Sequence, residues 1–284
     1  MILNNPFTLS STSQARFRLG AVVLLSLSVV GCGGKADDGT GTTDSSTTDT
    51  ETYDSGTVLG GYVAGTITSP TGEPVTGARV TLCAEFCRVN ISLEDGSYRF
   101  DGIADDEFAF DVEVPDEHWP TILFPLVLTR ESETVVDLQM HALGDEATIP
   151  DSAAELELLP SIYVTIGFDN IDPGFTDPET ASASHPSTWE WEPLVGLSEP
   201  IAGVWYLEPW EVKALGDSLQ FRVGNEWGWE AGAEVSGVVA SYDDKGWLDV
   251  GGLVVSEDGQ WITSVEGVSG LPILSTLVIF DSTP

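Results

Sequence analysis

The chain holds few residues that could break or make bonds: three cysteines, three histidines and a scattering of serines among 46 Asp and Glu. Cys83 and Cys87 enclose Ala84, Glu85 and Phe86, a C-x-x-x-C spacing rather than the C-x-x-C of a redox pair. A tetrahedral zinc site would need two further ligands, and no histidine lies near this pair in sequence. The pair is expected as a disulfide that closes a tight connection between strands. A loop that small contributes about 2 kcal/mol at most through chain entropy. The third cysteine, Cys32, is left for another use.

Ser218 stands in the run "GDSL", residues 216–219, which matches four letters of the GDSL esterases. A serine nucleophile needs a base within hydrogen-bond reach. In that family the histidine follows the serine, but His118, His141 and His185 all precede Ser218. The run is read instead as a turn leading into a strand with Leu219, Phe221 and Val223 on one face. "GVSGL", residues 267–271, lacks the closing glycine of a nucleophile elbow. "DNIDPGFTDPE", residues 169–179, is rich in oxygen ligands but lacks EF-hand spacing, so a solvated acidic loop is expected over a calcium site. No catalytic residue, metal or cofactor is implied. Tryptophan is the remaining signal, with eight of nine after residue 150. Trp189/Trp191 and Trp227/Trp229 are spaced i, i+2, so each pair shares a face if the backbone is extended. Core packing is the first reading of these rings. The second is an aromatic platform for a glycan or a partner protein, with Trp189, Trp191, Trp227 and Trp229 as ligand-binding candidates.

These residues must be carried by an unusually acidic chain. Ten Lys and Arg against 46 Asp and Glu leave a formal charge of −36 over 284 residues. Such a field argues against nucleic acid and against electrostatic docking to anionic lipid. The stretch "RFRLGAVVLLSLSVVGCGGK" places two arginines before a short apolar run and then Cys32. That is the layout of a secretory signal over residues 1–31. "VVGC", residues 29–32, resembles the bacterial lipobox, which implies that Cys32 is acylated and becomes the new N-terminus. Gly33 rather than Asp follows it, which by the sorting rule of enteric bacteria points to the outer membrane. Residues 32–57 are mostly Gly, Ser, Thr and Asp, a composition that cannot bury a core, and are expected as a disordered tether.

From 58 to 143 the pattern has period two. Phe108, Phe110, Val112 and Val114 share one face, with Asp111 and Glu113 opposite. About seven such runs, separated by "SPTGEPVTG", "EDGS" and "VPDEHWP", predict a small antiparallel β-sandwich. "GTITSPTGEPVTGARVTL" followed by "LEDGSYRFDGI" resembles the carboxypeptidase regulatory-like domain, a transthyretin-like sandwich. The matching positions are Gly72, Pro74, Val75, Gly77, Ala78 and Val80, then Asp95, Gly96, Tyr98, Phe100, Gly102 and Ile103. The resemblance implies architecture, since none of the three histidines begins the H-x-x-E pair of the zinc peptidases in which the module occurs. Residues 144–284 again read as short strands and predict a second, tryptophan-rich sandwich. Within it, "VASYDDKGWLDVGGLVVSEDGQWITS" is read as one three-strand meander, and "LSTLVIF" as a strand buried on both sides. The chain is thus expected to be all-β, two antiparallel sandwiches behind a signal and a tether. A non-enzymatic, lipid-anchored surface protein with a structural, adhesive or interaction role follows, with a carbohydrate-binding surface lipoprotein as the alternative. Its partners would be the membrane lipid and an unknown protein or glycan.

Overall fold

The computed structural model describes residues 60–115, 118–174, 178–186, 197–216 and 218–281. The signal, Cys32, the tether, Trp189 and Trp191 lie outside these residues. Every regular element among the described residues is a β-strand.

The strands stack as four layers. The first is Gly61–Thr68 flanked by Ser97–Ile103 and by Glu133–Val135, with Leu138–Gln139 also pairing the central strand. The second is ordered Cys87–Ile91, Arg79–Cys83, Asp106–Glu113, Ile122–Leu128. The third is ordered Gly246–Asp249, Gly237–Ser241, Thr276–Phe280, Ile201–Glu208, Thr180–Ser184, Ala147–Thr148. The fourth is ordered Ala154–Leu159, Ile162–Ile166, Phe221–Gly224, Trp261–Thr263, Leu253–Val255, Glu234–Val235. Pairing is antiparallel except where Gly61–Thr68 meets Glu133–Val135 and Leu138–Gln139, which run parallel to it.

The first two layers form the sandwich that alternation predicts. Phe108, Phe110 and Val112 point at the first layer, and Tyr98 and Phe100 answer from it; all five are buried. The Phe110 ring lies between Tyr98 at 5.9 Å and Phe124 at 5.0 Å. The Tyr98 hydroxyl, buried with its ring, donates to the Val136 carbonyl at 2.7 Å. The turn before Ser97 closes as its letters require. Gly96 has φ +77°, and a Cβ there would meet the Ile67 carbonyl at 2.5 Å, so two independent constraints demand glycine.

The third and fourth layers form the second sandwich. Trp205, Leu207, Leu277 and Ile279 interleave with Ile162, Val164, Val223 and Ile262. Thr276–Phe280 is buried along its whole length, as the near absence of a polar face in "LSTLVIF" predicts. The expected meander is divided between two sheets. Gly237–Ser241 and Gly246–Asp249 form a hairpin in the third layer, and the chain then crosses to place Leu253–Val255 and Trp261–Thr263 in the fourth. Gly251 makes the crossing at φ +79°, where a Cβ would lie 2.7 Å from the Val268 carbonyl.

The two sandwiches are packed on each other. The second layer is covered on both sides: Arg79–Cys83, Asp106–Glu113 and Ile122–Leu128 are buried at consecutive residues rather than alternate ones. Val204, Tyr206, Val278 and Phe280 of the third layer join the core of the first sandwich. Ala240 packs with Cys83, Ala109 and Leu123. The Leu123 amide donates to the Thr276 hydroxyl across the junction at 3.2 Å.

Phe110→Ala should lower the unfolding free energy by about 3–5 kcal/mol, because the neighbouring rings cannot collapse into the space left. Val127→Ala, on the same sheet but 61% exposed, should change it by less than about 0.5 kcal/mol. Denaturant unfolding of the two variants checks both.

Candidate functional site

Of the four tryptophans that the spacing singles out, the described residues include Trp227 and Trp229. They do not share a strand face. They follow the strand Phe221–Gly224 in a turn with Gly228 at φ +70°. Their rings stack on each other at 4.9 Å and 23°. The Asn225 side chain ties the turn, donating to the carbonyls of Trp229 and Gly259, both at 2.8 Å, and accepting from the Trp229 amide at 3.1 Å. Trp227 sits edge-on to Trp205 at 6.3 Å, and Trp205, fully buried, stacks on His185 at 4.5 Å. Nδ1 of His185 donates to the Val204 carbonyl at 2.7 Å. Gly203 leaves room for this run of rings, since a Cβ there would meet Trp205 at 2.5 Å and Trp227 at 3.0 Å. The row is anchored in the core at one end and half-exposed at the other.

The cysteines are joined. Cys83 and Cys87 form a disulfide across the hairpin of Arg79–Cys83 and Cys87–Ile91, with Cα atoms 4.0 Å apart. The Tyr242 hydroxyl, from the hairpin tip of the third layer, donates to Cys83 Sγ at 2.7 Å and lies 3.1 Å from Cys87 Sγ. The bridge therefore also fastens the first sandwich to the second. Ser218 is held by structure as well: its hydroxyl donates to the Ser269 carbonyl at 3.4 Å, beside the bridge between Leu219 and Leu271. Among the described residues, no three His, Cys, Asp or Glu side chains gather as a metal-binding group.

Three carboxyl groups are trapped by the stacking. Asp111 is 2% exposed, and burial pushes its pKa from 3.8 to about 6 against the lowering effects of the Thr81 hydroxyl and Arg79. Glu208 accepts from the amides of Thr121, in the first sandwich, and Trp210, and burial raises its pKa too. Glu211 accepts from the Tyr242 amide at 2.8 Å, and burial, with help from Asp243 and Asp244, pushes it up to about 7.

Glu211 also lines a cavity of about 550 Å³ that spacing did not point to. The short ribbon of Ile171–Asp172 and Lys213–Ala214 brings Asp172 opposite Lys213 on one side. The hairpin tip brings Tyr242 and Asp243 on the other, and Trp210 stands edge-on to Tyr242 at 5.8 Å and 66°. Lys213 pairs with Asp243. The letters "EPWEVK" and "SYDDK" hold these residues, but each reads alone as a strand end or a turn.

No family model matches the chain, and no curated protein matches it. Several solved structures resemble it weakly. The full-length major pilin SpaD of Corynebacterium diphtheriae is 10% identical over 78% of this chain, with a TM-score of 0.27, and the match spans 56% of that pilin. A DUF3823 family protein of Bacteroides ovatus is 12% identical over 58% of this chain and 89% of its own, with a TM-score of 0.24. A putative carbohydrate binding protein of Bacteroides uniformis is 11% identical over 78% of this chain and 98% of its own, with a TM-score of 0.25. At these values the likeness stops at β architecture.

The trapped carboxyl groups set the sign of a pH effect. Between pH 4 and 6 the folded chain holds a proton on Asp111 that the unfolded chain has released. The stability linked to this group is full below about pH 4 and is lost as pH rises through about 6. Asp111→Asn should flatten that fall and leave the protein more stable at pH 8, by on the order of 2–3 kcal/mol. Thermal unfolding of both proteins from pH 4 to 8 checks the slope.

Proposed function

We propose that the chain is a non-enzymatic surface protein, anchored through an acylated Cys32 and held off the outer membrane by its acidic tether, with a structural or adhesive role. Its first sandwich, on this reading, is a carboxypeptidase regulatory-like module over residues 58–143, and a tryptophan-rich sandwich over 144–284 takes the place a catalytic domain would have. The observation that supports this is the four-layer stack, whose two inner sheets are covered on both faces. Such a body is stiff and suits display or load. The side chains with reactive chemistry are occupied within it, Ser218 on a carbonyl and the cysteines in a disulfide under Tyr242.

Glycan binding by the tryptophan pairs takes second place. Trp227 and Trp229 stack on each other, so two of the faces a sugar ring would cover are already covered. The half-exposed Trp229 is the observation in its favour.

Cys32→Ala protein should be recovered in the soluble extracytoplasmic fraction or remain unprocessed, while the parent chain partitions with membranes. Fractionation followed by intact-mass measurement of the N-terminus decides; a processed, membrane-bound Cys32→Ala protein would sink the anchor. In a glycan screen, Trp229→Ala with an unchanged melting temperature should bind as the parent does. Specific binding lost in that variant would bring the carbohydrate reading to the front.

A further inference from the structure

The cavity beside Trp210 and Tyr242 opens where the two rings leave the junction cluster of Cys83, Ala109, Leu123 and Ala240. Aromatic carbon forms one wall, and the carboxylates of Asp172, Glu211 and Asp243 stand around it against a single ammonium, Lys213. Lys213 is engaged by Asp243 and is the single ammonium that the three carboxyl groups lining the cavity share.

We propose that this cavity binds a small organic ammonium compound, its cation seated against the rings of Trp210 and Tyr242 and facing the carboxylate of Glu211. Three observations carry this. The first is size: about 550 Å³ lies within the range of small-molecule sites, roughly 300–1,000 Å³. The second is the placement of Glu211. Its backbone is in the left-handed region at φ 62°, uncommon for a residue with a long side chain, and it is held there by the hydrogen bond that its amide donates to the Leu274 carbonyl at 2.7 Å. One carboxylate oxygen is fixed by the Tyr242 amide at 2.8 Å, so the charge is aimed rather than free to swing into water. The third is the match of charge to aromatic surface. A cation within about 6 Å of a ring face is attracted by the ring quadrupole, most of all where water is partly excluded.

Other ligand classes fit less well. A neutral sugar would stack on Trp210 but leave the excess negative charge unanswered. A phosphate or carboxylate would be repelled by Asp172, Glu211 and Asp243 and by the field of a chain of charge −36. The same field raises the local concentration of cations at the mouth. The proposal stands apart from the lipid anchor, and its test can fail while the anchor holds.

Calorimetric titration of the full chain with tetramethylammonium and with cadaverine, beside methyl glucoside and acetate, tests it at about pH 8.5, above the pKa of about 7 to which burial pushes Glu211. Saturable one-to-one binding of at least one amine is expected, with no heat from the sugar or the anion. Glu211→Gln keeps an oxygen for the Tyr242 amide and should weaken amine binding by roughly tenfold or more. Trp210→Leu should do the same, with melting curves to confirm the fold; where it does not fold, Asp243→Asn takes its place. No saturable binding of either amine below ~10 mM overturns the proposal. So does binding that the variants leave unchanged, which would lie elsewhere, and so does methyl glucoside binding as tightly as the amines.

Discussion

Everything in this molecule depends on the coverage of the second sheet from both sides. A two-layer sandwich needs one apolar face per sheet and leaves the other to water. Here the strands Asp106–Glu113 and Ile122–Leu128 are closed off by the first layer on one side and by the third on the other. Ala109, with no side chain beyond Cβ, and Leu123 let the third layer approach, and Ala240 meets them from the opposite sheet. Two domains that could each have been independent thus become one continuous body.

The same contact explains the electrostatics. Asp111 occupies a strand position that alternation assigns to solvent, and the second sandwich removes the solvent. Desolvation then becomes the leading influence on its carboxyl group, ahead of Thr81 and Arg79. Glu208 is turned to use: with water gone, it satisfies one amide from each side of the junction, Thr121 and Trp210. Tyr242 is a further tie, its hydroxyl set on the disulfide of the opposite sandwich. Glu208, Thr276 and Tyr242 are matched across the junction rather than solvated, which resists sliding of one sheet over the other.

The tryptophans are sorted by the same geometry. Trp205 lies on the face of the third layer that meets the fourth, and the row from His185 through Trp227 to Trp229 is built outward from it. Trp210 lies just beyond the same strand, Ile201–Glu208, near the ribbon of Asp172 and Lys213, and so packs on the junction cluster while also walling the cavity.

The sequence by itself determined whatever rests on neighbours along the chain. Period-two alternation placed Phe108, Phe110 and Val112 on an inner face, Asp95-Gly96 located a turn, the closeness of Cys83 and Cys87 set their pairing, and the near absence of a polar face at 276–280 marked a strand without a wet side. Only the tertiary structure decided the rest. Alternation says that a strand has two faces, but whether the polar one meets water or another sheet depends on residues far away, so the burial of Asp111 was not legible. The run 237–263 reads as one meander because its turns look alike, and its division between two sheets turns on Gly251 and the Val268 carbonyl behind it. Trp227 and Trp229 have the spacing of a strand face, yet Asn225 and Gly228 curl them into a stack. The cavity needs Asp172, Trp210, Glu211 and Tyr242 from three separate segments, and no periodicity within any one of them records that the others will arrive.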